Sequence, residues 1–92
     1  MKYDVELTKS AKKDVLKVPQ YVAIKLQDWI EDVLDRGLLE VRKIPGYHDE
    51  PLRGERLGQR SIRLSKGYRA FYKERAGAIT LVQIIEVNKH EY

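Results

Sequence analysis

From Lys2 to Thr8 the apolar residues Tyr3, Val5 and Leu7 alternate with Lys2, Asp4 and Glu6. That period of two rests one face of a strand on a core. Thr8 then stands where a helix begins, and a helix is expected from Lys9 to about Val18. It should bury Ala11 and Val15, with Leu16 and Val18 as further candidates. Pro19 suits the opening of a second helix, where its missing N–H costs nothing. Val22, Leu26, Trp29, Ile30 and Val33 recur at spacings of three and four, while Lys25, Asp28, Asp32 and Asp35 take other positions. Trp29 reads most simply as core, and Gly37 as the helix terminus.

Residues 38–59 carry no such periodicity and are punctuated by Pro45-Gly46, Pro51, Gly54 and Gly58, so they are expected to be irregular. Strands follow. Over residues 61–65, Ile62 and Leu64 should point inward and Arg63 outward with the two serines. Lys66-Gly67 is a turn. Tyr68 to Lys73 should place Arg69, Phe71 and Lys73 on one face and Tyr68, Ala70 and Tyr72 on the other. Ala76-Gly77 turns again, and Ile79 to Val87 is the near-continuous apolar run of a well-buried strand. The pattern predicts an α+β fold of order β-α-α-β-β-β, a two-helix hairpin packed on a small, antiparallel-rich sheet. With no repeat, low-complexity tract or linker, residues 1–92 read as a single domain.

Composition removes several classes of function. The 92 residues contain no cysteine and only two histidines, His48 and His90, so neither a disulfide framework nor a metal-ligand cluster is expected. No apolar run reaches membrane-spanning length, and the first ten residues lack the apolar block of a signal peptide, which predicts a soluble, cytoplasmic domain with no membrane partner. The formal charge is +4 and unevenly spread. Residues 1–45 are nearly balanced. Arg53, Arg56, Arg60, Arg63, Lys66, Arg69, Lys73 and Arg75 follow, opposed between Arg53 and Arg75 only by Glu55 and Glu74. A basic, strand-rich stretch suits a polyanion, and equally a solvated face.

Within that stretch, Arg63 and Arg69 sit mid-strand. Neighbouring strands would bring both guanidinium groups onto the open sheet face, where they could grip a phosphate and offset charge developing on it. Arg60 and Arg53 could extend the grip, or form exposed salt bridges with Glu74 or Glu86. His48, Asp49 and Glu50 share one short polar loop. With His90 at the end of a buried strand, they would supply the acid and base that RNA cleavage needs without a metal. On spacing alone His90 reads equally as a surface residue.

The motifs EPLRG (50–54), RSIRL (60–64), GYRAFY (67–72) and KHEY (89–92) stand in this order after strand–helix–helix. Together they resemble the RelE/ParE superfamily of bacterial toxins, over essentially the whole chain and with most similarity to RelE/HigB/YoeB-like members. The resemblance implies the toxin of a type II toxin–antitoxin module, a ribosome-dependent, metal-independent endoribonuclease (mRNA interferase) that cuts mRNA in the A site. It implies no cofactor. The partners implied are the ribosome, mRNA and a cognate antitoxin, commonly with a helix-turn-helix DNA-binding domain. By position, Glu50 matches a general base, Arg69 a transition-state arginine and His90 a general acid. Tyr92 approximates a terminal tyrosine, though Glu91 separates it from His90. Arg53, Arg60, Arg63, Lys66, Lys89 and His48 would contact RNA. ParE relatives share the fold but bind DNA gyrase without evident nuclease chemistry, which leaves a gyrase poison and an inactive binding module as alternatives.

Overall fold

The computed structural model describes residues 2–89 and contains five strands in one sheet, with helices on one face. Strand β1 (Lys2–Leu7) leads through Thr8 into α1 (Lys9–Lys17), and α2 (Gln20–Arg36) follows directly. Thr8 caps α1 as expected, its hydroxyl oxygen accepting from the Ala11 N–H at 3.1 Å. Pro19 sits one place earlier than anticipated, at the cap, and its carbonyl accepts from Val22 N at 2.9 Å. Gly37 ends α2 at φ 87°, with its N–H bonded to Val33 O. A Cβ at this position would lie 3.0 Å from the Tyr3 ring, so both conformation and space call for glycine.

Strands β3 (Arg60–Ser65), β4 (Tyr68–Arg75) and β5 (Ile79–Lys89) form the expected meander, and β1 joins β5 in parallel. The sheet order is β1-β5-β4-β3-β2, where β2 (Glu50–Pro51) is a short antiparallel edge on β3. The core gathers Ala11, Val22, Leu26, Trp29 and Val33 from the helices against Ile62, Leu64, Ala70, Tyr72, Val82, Ile84 and Val87 from the sheet. Trp29 is fully buried, its ring 5.0 Å from that of Tyr72.

Some expectations change. Residues 38–59 are not wholly irregular. They hold α3 (Leu38–Val41), which buries Leu38 and Val41, and then β2. Elements of four and two residues are too short to show a period. Leu16 is 87% exposed, because Ala11 and Val15 already occupy the sheet-facing stripe of a nine-residue helix. Ile79 is half-exposed at the open start of β5. Ser61 is fully buried although it alternates with Ile62, since the face opposite the helices is covered at that point by Arg69.

Strand β5 also breaks its alternation. Phe71 pairs with Glu86 but Tyr72 pairs with Ile84, so Ile85 is an extra residue, a β-bulge. Before the bulge Val82 and Ile84 face the core, and after it Val87 does. A one-residue offset flips every later side chain to the other face. Here it turns Glu86 and Asn88 to the side away from the helices. The loosened backbone is held from α1: Thr8 N–H bonds Ile84 O at 3.0 Å, the Thr8 hydroxyl donates to Ile85 O at 2.7 Å, and Asp14 accepts from Val87 N–H at 2.9 Å.

Candidate active site

The sheet face without helices carries most of the candidate side chains that the structure brings together. Across it, register sets Glu50 opposite Ser61, Ser61 opposite Phe71 and Phe71 opposite Glu86. The next row is Arg63, Arg69 and Asn88. Alternation therefore delivers Arg63 and Arg69 side by side, as the sequence anticipates. Arg63 is exposed, whereas the Arg69 side chain is only 14% accessible. Arg69 Nη1 donates to Glu50 Oε1 at 3.1 Å and to Ser61 Oγ at 3.2 Å. His48 Nε2 lies 3.5 Å from the other carboxylate oxygen, Glu50 Oε2. A guanidinium, a carboxylate, a hydroxyl and an imidazole thus converge on one half-open patch.

The loop that supplies Glu50 and His48 is fixed from behind. His48 adopts a left-handed conformation at φ 47°, after a 3-10 turn over Pro45–Tyr47. Asp49, between the two, turns inward, and its side chain is 1% exposed. Its Oδ1 accepts from Arg60 Nε at 2.5 Å, and its Oδ2 accepts from the Tyr72 hydroxyl, which in turn accepts from Arg42 Nε at 3.3 Å. Burial, reinforced by the hydrogen bond to Asp49, pushes the Tyr72 phenol well above its usual range, so it stays a donor. The Tyr47 phenol, donating to Asp32 at 2.8 Å, is raised for the same two reasons.

This arrangement separates the basic residues that composition groups together. Arg60 shares the alternation of Ile62 and Leu64 and is opposite Tyr72 on the helix side, bonded to Asp49. It does not stand with Arg63 and Arg69. Lys89, exposed and opposite Tyr68, falls on the parity of Val87, also away from Arg69. Arg53 is exposed just before the 3-10 turn over Gly54–Arg56. Arg63 and Lys66 line an open concavity of about 380 Å³ together with Lys25, from α2. His90 and Tyr92 lie outside the described residues.

Arg56 is a residue the sequence places in the basic run without a role. The 3-10 turn folds it over the open face, with its guanidinium carbon 4.1 Å from the Phe71 centroid. Its Nη1 donates to Gln59 Oε1 at 2.9 Å, and its Nη2 is paired with Glu86, which also accepts from Asn88. Only the alternation of Phe71 with Arg69 hints at this in the sequence, because the turn that carries Arg56 has no period.

Fold and patch together describe a small sheet with helices on one face and a polar, cation-bearing site on the other. The family model for the ParE toxin of type II toxin–antitoxin systems (parDE) matches residues 5–91. The chain belongs to this family of toxins, within the RelE/ParE superfamily. Among solved structures it is similar to YafQ from E. coli, at 19% identity and a TM-score of 0.74, over 96% of this chain and 93% of that one. The YoeB/ParE toxin from Agrobacterium tumefaciens is 21% identical, with a TM-score of 0.71, over 99% and 100% of the two chains. The RelBE2 toxin–antitoxin complex from Mycobacterium tuberculosis gives 24% and 0.69, over 98% and 100%. No curated protein sequence matches the chain.

Proposed function

We propose that this type II toxin is a ribosome-dependent endoribonuclease that cleaves mRNA in the A site and so inhibits translation. The observation that carries the reading is the contact of Arg69 with Glu50 and Ser61, with His48 on the same carboxylate. In RNA cleavage the 2′-hydroxyl loses its proton and its oxygen attacks the adjacent phosphorus. The bond to the 5′ oxygen breaks, leaving a 2′,3′-cyclic phosphate and a 5′-hydroxyl. Arg69 exchanges its carboxylate partner for a phosphate oxygen and offsets the charge that builds there. Glu50, released, takes the 2′-hydroxyl proton, and His48 is placed to assist or replace it. His90 protonates the departing 5′ oxygen, and Tyr92 orients the phosphate or stacks on a base. Arg53, Arg63 and Lys66 hold flanking phosphates. Arg60 acts differently, by holding Asp49 and through it the loop.

The A site places the protein in the cytoplasm. Its inhibitor is a cognate antitoxin, a reading supported by the toxin–antitoxin complexes among similar structures, RelBE2 and DinJ–YafQ. Such an antitoxin commonly adds a helix-turn-helix domain.

The second reading is a gyrase-binding toxin without nuclease activity, favoured by the ParE model that matches the chain. A gyrase poison has no need for Glu50, Arg69 and His48 to meet on one face. A translation extract with end-labelled mRNA decides between them. Cleavage that needs ribosomes is expected. Intact mRNA, with supercoiling by gyrase inhibited instead, sinks the nuclease reading.

A further inference from the structure

Arg56 already has one N–H of each Nη and its charge committed. Gln59 and Glu86 occupy Nη1 and Nη2, and Glu86 balances the charge. One side of the guanidinium rests on Phe71, yet 36% of the side chain remains exposed. An arginine held this way is poorly suited to gripping a phosphate, which needs its free N–H fork. What it still offers is the other face of a flat, delocalised cation. Phe71 and Arg69 lie two residues apart on the same face of β4, a separation of about 7 Å by strand rise. That is room for a single nucleotide between a phosphate at Arg69 and a base over Arg56.

We propose that Arg56, laid on Phe71 and pinned by Gln59 and Glu86, is a stacking shelf for one unpaired nucleobase of a single-stranded RNA whose phosphate is held at Arg69. The inference rests on the reading of this face as an RNA site and names what the site takes. Single-stranded RNA is commonly held by stacking bases on aromatic rings or arginine planes, which tolerates any base because each has a π-face. Gln59 and Glu86 act as positioning residues, fixing the plane without touching the base.

The test compares binding of two fluorescent, cleavage-resistant 2′-O-methyl tetranucleotides, one with bases and one abasic, by anisotropy. Wild type is expected to prefer the oligonucleotide with bases by about fivefold or more. Arg56→Ala and Arg56→Lys should lose most of that preference while holding the abasic chain as wild type does. Phe71→Leu, which leaves the charge in place and removes the support, should lose it too and serves if Arg56→Ala is poorly folded. The shelf is overturned if Arg56→Lys keeps the preference, if Arg56→Ala weakens both oligonucleotides alike, or if wild type shows none. Because the readout is binding, its failure is distinct from loss of ribosome-dependent cleavage in the extract.

Discussion

The Asp49 carboxylate is closed to solvent and takes hydrogen bonds from Tyr72 and Arg60, whereas His48, one residue earlier, is more than half exposed in a left-handed turn. Removing the buried carboxylate leaves Arg60 and the Tyr72 hydroxyl without their acceptor, so Asp49→Ala should cost about 3 kcal/mol in urea unfolding. His48→Asn keeps a residue that tolerates the left-handed region and should change stability by less than about 0.5 kcal/mol. If the imidazole shares the proton transfer, the same variant slows cleavage. In sequence His48, Asp49 and Glu50 read as one polar stretch, because nothing local says that Asp49 meets partners 11 and 23 positions away. Arg69 was legible, since strand alternation and the GYRAFY motif both put it on the open face. Arg69→Ala should abolish growth arrest. It should lower the melting temperature by no more than about 8 °C, since the ion pair it loses is half-solvated and worth about 1 kcal/mol.

At the scale of elements, the long periodic ones were readable: β1, both long helices and the meander. The bulge at Ile85 was not, although VQIIEV records it as two adjacent isoleucines where alternation breaks. An unbroken strand would have turned Glu86 and Asn88 toward the helices and Ile85 and Val87 outward. Thr8 serves three roles at that point, capping α1 and holding the bulge through its N–H and its hydroxyl, which donate to Ile84 O and Ile85 O. Thr8→Val preserves the shape but removes both hydroxyl contacts. It should lower stability by about 2 kcal/mol, seen as a lower urea midpoint with an unchanged slope. A changed slope would instead mean that the end of β5 has come away in the native state.

Across the whole molecule the two sheet faces respond differently to pH and salt. Tyr47 and Tyr72 are raised above the ordinary phenol value of about 10 in the fold, so the folded state holds their protons more tightly than the unfolded chain. Their contribution is complete below that value and is lost as pH rises from it through the raised folded values. Melting temperatures should therefore fall above about pH 10, less steeply in Tyr47→Phe. Salt reports on the other face. Arg60 and Arg63 are three residues apart in one strand and look alike in composition, but odd spacing sends them to opposite faces. Arg63 is exposed beside Arg69, while Arg60 is bound to Asp49 on the helix side. If the open face binds single-stranded RNA, each phosphate contact contributes about −0.7 to the slope of log affinity against log salt. Arg63→Ala should make that slope shallower by about 0.7. Arg60→Ala should leave it unchanged and lower stability instead, because it strips Asp49 of a partner. Equal changes in slope for both variants would mean that RNA wraps the β3 edge rather than lying on the face that Arg69 and Glu50 share.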